Sequence, residues 1–323
     1  MLERRGMIIA NEPSRSRLKS LNFNLEKGGA WNVKTISADG TVLHKYYRDS
    51  FDGVLLDAPC SHENQIGLNK KILEQWSVDY VQKLAQLQKQ LILSAFGCLK
   101  PGGTLVYSTC TFSVEENEQV IAHLLEKRDE ARLITLEHSY SRGISGLSFI
   151  DESVLRVFPH LSEMDGFFVA MIQKEGNLEP GQSIKTKISK EHKTFIEDYL
   201  SEFPDRYVLK QLDSQVYLEA AYEIKGSFFR SGMVFAKQAG KKLELMSQAA
   251  WEFGAVIRDK HKIEIDYNKS LDYMKGFDTA GANKYDGTVF FHTFIPVGVV
   301  KIVDQMYKNK LDRYFLYGKN IEF

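Results

Sequence analysis

Phe51-Asp52-Gly53-Val54-Leu55-Leu56-Asp57-Ala58-Pro59-Cys60-Ser61 is an apolar run that ends on an acid, a proline and a cysteine. About fifty residues on, Gly102-Gly103-Thr104-Leu105-Val106-Tyr107-Ser108-Thr109-Cys110-Thr111 is a second apolar run, introduced by glycines and also ending on a cysteine. Each run reads as a strand. Pro59 has no N–H to give to a ladder, so the chain must leave the sheet there and expose its polar groups. The chain has three cysteines in 323 residues, and two of them fall at the ends of these strands. Open α/β sheets put their chemistry at the carboxyl ends of the strands. A thiolate is the strongest nucleophile among ordinary side chains. An acid and two thiols at one sheet edge point to covalent chemistry on an electrophilic ring carbon. Cys98, inside a predicted helix, reads instead as a small buried apolar residue.

Working outward, residues 6–10 and 33–36 read as short buried strands, with a helix over 14–26 between them that closes on Gly28-Gly29. Residues 78–99 read as a long amphipathic helix with Leu84, Leu87, Leu91 and Ala95 on its apolar stripe. Lys100-Pro101-Gly102-Gly103 stops it. A helix over 115–127 and a strand over 167–173 follow. This alternation predicts a doubly wound, Rossmann-like α/β domain. Beyond Lys174 the composition turns polar, and 175–193 reads as a linker. Strand-like runs then return at 206–212, 216–220, 232–236, 288–293 and 296–303, ahead of a basic segment at 308–313.

The 42 basic and 42 acidic residues cancel, so any nucleic-acid binding must rest on local patches. Three cysteines make no disulfide framework and fit a reducing cytoplasm. No apolar stretch has the length of a membrane span, and the charged N-terminus lacks the apolar stretch of a signal peptide. The cysteines offer no Cys-x-x-Cys pair, so no metal site is expected. Glu12 stands where an acid after a strand grips ribose hydroxyls, but an acid just before a helix also serves as a cap or dipole partner. Asp39, before Gly40, fits a turn. Asp57 fits either a site carboxylate or a solvated loop.

The segments Asp57-Ala58-Pro59-Cys60-Ser61 and Ser108-Thr109-Cys110-Thr111 resemble the RNA cytosine-5 methyltransferases. Asn11-Glu12, Arg17, Asn24, Asp39-Gly40, Trp76, Gln88, Lys100-Pro101-Gly102-Gly103 and Glu115-Glu116-Asn117-Glu118 follow in that family's order. So do Arg156-Val157-Phe158-Pro159-His160 and Asp165-Gly166-Phe167-Phe168-Val169-Ala170, which look like a strand pair closing the domain. Pro296-Val297-Gly298-Val299-Val300-Lys301 looks like the end of a PUA-like RNA-binding module. The combination is similar to the bacterial RsmF type, which methylates small-subunit ribosomal RNA.

The resemblance implies a class I methyltransferase domain over 1–174, a linker over 175–193, an intermediate C-terminal module over 194–245 and a PUA-like module over 246–323. It implies S-adenosylmethionine as cofactor, with Glu12 on the ribose, Asp39 on the adenine amino group and Asp57 beside them. Cys110 would add to carbon 6 of cytosine, and Asp57, in protonated form, would hydrogen-bond the ring nitrogen side. Cys60 would assist release of the methylated base. The implied partner is RNA, 16S ribosomal RNA or the small ribosomal subunit, with no DNA and no membrane, and Lys301, Lys308, Lys310 and Arg313 would supply local positive charge. Two departures stand out. Where the family continues Ser-Gly-Glu-Gly, this chain has Ser61-His62-Glu63-Asn64. No glycine-rich loop precedes Glu12, so the domain reads as N-terminally incomplete. The chain as written is then expected to hold the cofactor poorly, and the alternative reading is a catalytically impaired fragment that only binds RNA.

Overall fold

The computed structural model describes residues 6–136, 141–142, 153–160, 164–179, 181, 184, 188–240, 242–283, 287–312 and 315–316. It divides into two compact units, Met1–Ser37 with Gln182–Phe323, and Ala38–Gly181.

The second unit carries both cysteine segments. Its sheet contains β3 (Phe51–Asp57), β4 (Leu99–Thr109), β5 (Ala131–Ile134), β6 (Ser141–Arg142), β7 (Leu155–Val157) and β8 (Phe167–Lys174). The order is β3-β4-β8-β7-β6, with β5 also paired to β8. β3 and β4 run parallel, with Asp57 opposite Ser108, while β8 is antiparallel to β4, β5 and β7. The sheet is therefore mixed. The two segments expected to close the domain do pair, Leu155 with Val169 and Val157 with Phe167.

The parallel pair needs a long crossover. It is supplied by helices α2 (Lys70–Gln75) and α3 (Val78–Cys98), the latter capped by Ser77, whose side chain accepts from the Tyr80 N–H. α3 buries Val81, Ala85, Gln88, Ile92 and Phe96. The expected stripe of Leu84, Leu87, Leu91 and Ala95 lies one position off this face, and Leu87 is exposed. Apolar residues on both flanks of the helix make its core face ambiguous to periodicity alone. Ile92, Phe96, Leu99, Leu105, Tyr107, Phe168 and Ile172 join Val120, Ile121 and Leu124 of helix α4 (Glu118–Lys127) in one core. β4 starts earlier than expected. Gly102 takes φ +80°, and the register to β3 shifts between Phe51 and Gly53, so the strand passes through the glycine turn instead of beginning after it.

In the first unit β1 (Ile8–Asn11) and β2 (Val33–Ile36) are parallel, and β2 continues antiparallel to β11 (Arg230–Ser231). Trp31 packs against Tyr207 at 4.6 Å between ring centres, and Lys34 donates to Glu219 at 2.9 Å in a buried ion pair. Trp31 thereby joins the core formed by Tyr207, Leu209, Val216 and Phe235, while Ile8 and Phe23 stay exposed. The same unit holds the antiparallel sheet β13-β12-β10-β9, made of β9 (Tyr207–Leu212), β10 (Gln215–Ala220), β12 (Met233–Ala239) and β13 (Lys242–Leu245). It also holds a five-stranded sheet in the order β14-β16-β17-β18-β15. Those strands are β14 (Lys262–Glu264), β15 (Thr279–Ala280), β16 (Val289–His292), β17 (Ile295–Val303) and β18 (Met306–Asn309). The end of the expected linker is helical, Lys190–Tyr199, because Ser189 caps it and Ile196 is buried. Among the described residues no helix is long and apolar enough to cross a membrane.

Candidate active site

Asp57, Cys60 and Cys110 come together at the carboxyl ends of β3 and β4. The parallel register puts Asp57 beside Ser108, whose hydroxyl donates to Asp57 Oδ1 at 3.3 Å. Three residues past Asp57 and two past Ser108, the thiols of Cys60 and Cys110 lie 3.1 Å apart. Cys60 is buried and also accepts the Cys110 backbone N–H at 3.4 Å, whereas Cys110 is half-buried. The hydrogen bond from Cys110 lowers the Cys60 thiol below its ordinary value. The same bond, and then burial, raises the Cys110 thiol. Of the two sulfurs, Cys60 carries the first negative charge and Cys110 keeps its proton.

His62 adds a third group. Its Nδ1 lies 2.9 Å from Cys110 Sγ and 4.0 Å from Cys60 Sγ. Its backbone is left-handed, φ 57° and ψ 37°, which turns the chain back so that the exposed imidazole meets the thiols. Glycine takes this conformation freely, while other residues pay about 1–2 kcal/mol. The departure at this position therefore replaces a permissive residue with a strained one whose imidazole reaches Cys110 Sγ. Sequence spacing offered no metal-ligand pair. The fold nevertheless brings ligand atoms of Cys60, His62 and Cys110 within 4.8 Å of one another.

Two carboxylates, buried Glu116 and half-buried Glu63, fix the two loops. Glu116 accepts from the Ser61 N–H at 3.1 Å, the Ser61 hydroxyl at 2.5 Å and Gln88 Nε2 at 2.8 Å. Gln88 Nε2 also donates to the Pro59 carbonyl at 2.7 Å, and Tyr107 donates to the Glu116 carbonyl at 2.6 Å. Burial pushes the Glu116 carboxyl up against the lowering effect of these donors. Glu63 accepts from Thr111 Oγ1 (2.8 Å), the Phe112 N–H (2.9 Å), Ser113 Oγ (2.7 Å) and Trp76 Nε1 (2.8 Å). Burial raises its carboxyl, but those donors together hold it below the usual carboxylate value. Arg156 and Glu118 form a fully buried forked pair, and Arg156 Nη1 donates to the Phe112 carbonyl at 2.9 Å. Trp76, Gln88, Glu116 and Glu118 stood in the sequence only as matches to a pattern. An acid placed to bind loop amides from below has no periodicity that would reveal it. Cys98 is buried in α3, and burial pushes its thiol up to about 11, in keeping with a packing role.

The expected cofactor residues are placed differently from one another. Asp39 lies in the second unit and is exposed; its Oδ1 accepts from the Thr41 N–H at 2.9 Å and caps the 3-10 helix Gly40–Lys45. Asp57 is exposed as well. Glu12 lies in the first unit, and both its oxygens are engaged: Arg17 donates to them at 3.0 and 2.9 Å, and the Ser14 N–H at 2.7 Å. The hydrogen bond from Arg17 is the main reason its carboxyl sits below the usual range. Asp39 and Asp57 thus fit S-adenosylmethionine as acceptors for its amino and hydroxyl groups. Glu12 is the ion partner of Arg17 at the start of α1 (Arg15–Lys27), whose N-cap is Ser14, so its oxygens are already largely engaged. The lysines expected to meet RNA each face a carboxylate: Lys301 and Lys310 face Glu244 at 3.3 and 3.7 Å, and Lys308 faces Asp278 at 2.9 Å. Two carboxylates thus offset part of the charge of three lysines, and Arg313 lies outside the described residues.

Residues 1–173 match the family model described as 16S rRNA methyltransferase RsmB/F. The ribosomal RNA small subunit methyltransferase F of Vibrio vulnificus (strain YJ016) is 32% identical over 338 residues, which span 99% of this chain and 71% of the relative. The protein of the same description from Vibrio cholerae (strain M66-2) is 32% identical over 340 residues, with the same two coverages. Among solved structures, that of NSun6 from Pyrococcus horikoshii with SFG is 33% identical, over 53% of this chain and 42% of that one, at a TM-score of 0.44. The chain belongs to the 16S rRNA methyltransferase RsmB/F family, a family of RNA cytosine-5 methyltransferases.

Proposed function

We propose that the chain methylates carbon 5 of a cytosine in 16S ribosomal RNA, using S-adenosylmethionine and a covalent adduct on Cys110. The observation that carries this reading is the contact between two thiols, 3.1 Å apart, at the ends of adjacent parallel strands. An aromatic ring carbon is a poor nucleophile, and adding a thiolate at carbon 6 makes carbon 5 an enamine-like carbon able to take a methyl group. His62 Nδ1 takes the Cys110 proton, in the tautomer that carries hydrogen on Nε2. Asp57 faces the ring nitrogen side, where addition builds negative charge. After methylation, the Cys60 thiolate removes the proton on carbon 5 and the Cys110 thiolate leaves, which restores the ring. S-adenosylmethionine supplies the electrophilic methyl group when bound, and Asp39 and Asp57 would hold it.

The strand-rich later part of the chain, with its PUA-like ending, is proposed to contribute RNA binding. Glu244 and Asp278 offset part of the charge of its three lysines, so its affinity should fall less steeply with salt than three free lysines would give. The test is methyl transfer to small-subunit ribosomal RNA, read as 5-methylcytidine by mass spectrometry of the digested RNA. The expected result is a single modified site with the wild-type chain and none with Cys110→Ala. Equal yields from the two would refute the reading.

A further inference from the structure

We propose that Cys60, His62 and Cys110 form a binding site for a soft divalent cation, zinc above all. The three donor atoms form a triangle with sides of 3.1, 2.9 and 4.0 Å. Such a triangle has a circumscribed radius of about 2.0 Å, so a point about 1 Å out of its plane lies near 2.3 Å from all three atoms, close to zinc–ligand distances of about 2.0–2.3 Å. Shifts of a few tenths of an ångström would complete the geometry. The donor set, two sulfurs and one imidazole, is that of zinc sites with three protein ligands and one open position. It contains no oxygen donor, which disfavours magnesium and calcium.

The site is also supported from outside. Ser61, between two of the ligands, is held through its N–H and hydroxyl by Glu116. The Asn64 N–H donates to the Cys110 carbonyl at 3.3 Å, which ties the His62 loop to the Cys110 loop. Glu63 binds the chain just past Cys110 through the Phe112 N–H. Both loops are thus fixed before any ion arrives, which is what a metal site needs of its surroundings. Cys60 is buried while His62 is exposed, so a solvated ion has a route in. Both sulfurs bind as thiolates, so any proton still on them passes to solvent. The third ligand exists here because histidine stands where the resembling sequences carry glycine.

The consequence for catalysis rests on the proposed function. A metal on both sulfurs leaves neither free, so zinc and the cytosine adduct exclude each other, and zinc should switch methyl transfer off. Reduced, metal-stripped protein is titrated with Co²⁺ and then with Zn²⁺. The expected result is one ion per chain, with thiolate-to-cobalt charge-transfer bands and the visible bands of a tetrahedral ion, bleached by zinc. Cys98→Ser should behave as wild type, and Cys60→Ser and Cys110→Ser should lose the bands. His62→Gly, which suits the left-handed backbone and should fold, should bind Zn²⁺ more than about 100-fold more weakly. Absence of the charge-transfer bands in wild type, or wild-type affinity in His62→Gly, would overturn the site. Methyl transfer unaffected by saturating zinc would overturn the competition. Metal binding in a chain that never methylates RNA would leave the site standing and sink the proposed function instead.

Discussion

Arg156→Met should loosen the Cys110 loop from a distance. Arg156 and Glu118 are 1% and 0% exposed in their side chains, and the guanidinium gives two hydrogen bonds to the carboxylate and one, at 2.9 Å, to the Phe112 carbonyl. It also lies 5.4 Å from the centre of the Phe168 ring. Removing one partner of such a pair strands the other charge in the core and costs about 3–5 kcal/mol, a large share of a domain stability of about 5–15 kcal/mol. Methionine fills much of the volume, so cavity formation adds little. Amides of α4 and β8 should then exchange with deuterium faster by between about a hundredfold and about four-thousandfold, at 1.4 kcal/mol per tenfold change. Hydrogen exchange read by mass spectrometry suits a two-unit chain, because each segment reports its own opening. Adding Glu118→Leu to Arg156→Met should recover most of the loss, since a buried pair replaced on both sides by apolar groups is often neutral. Exchange accelerated less than about threefold in Arg156→Met, or no recovery in the double variant, would refute the reasoning.

Replacing His62 with glycine removes the base beside Cys110, and single-turnover methyl transfer should slow by about 10²–10⁴-fold with cofactor and RNA affinity little changed. Glu63 holds four donors with its carboxyl below the usual value, so its contribution to stability is present above the ordinary carboxylate pKa of 4.5 and is lost as pH falls through the lower folded value. The Trp76 environment, followed by fluorescence on acidification, should therefore change in wild type and much less in Glu63→Gln. At Gly166 an added Cβ would run into the Phe112 ring, so Gly166→Ala should cost about 1–3 kcal/mol and disturb the Phe112–Phe158 stack. Thermal unfolding together with hydrogen exchange of that loop checks it.

Much of the site could be read from the chain because its signals are local. A run from Phe51 to Leu56 followed by Pro59 specifies a strand that must stop, and Lys100-Pro101-Gly102-Gly103 separates α3 from the body of β4. That places Asp57, Cys60 and Cys110 at one edge before any coordinates exist. What was not legible depends on distant partners. Ile8 to Ile36 make good strands and a good helix, but nothing local shows that Trp31 packs on Tyr207 or that Lys34 pairs with Glu219, 185 residues away. The lysines at 301, 308 and 310 look free in a sequence, and only the fold brings Glu244 and Asp278 to them. His62 looked like the loss of a useful glycine. Its left-handed backbone turns that loss into a third group beside the Cys110 thiol.

The division of labour between the two thiols is the centre of this account, and trapping tests it most directly. The Cys60→Ala chain is incubated with small-subunit ribosomal RNA and S-adenosylmethionine, then run on a denaturing gel beside wild type, Cys110→Ala and the double variant. Cys60→Ala should accumulate a protein–RNA band that survives denaturation, because the adduct forms on Cys110 and no thiolate is left to remove the carbon 5 proton. Cys110→Ala and the double variant should give none. A stable band from Cys110→Ala, or equal absence from both single variants while wild type methylates RNA, would contradict the account.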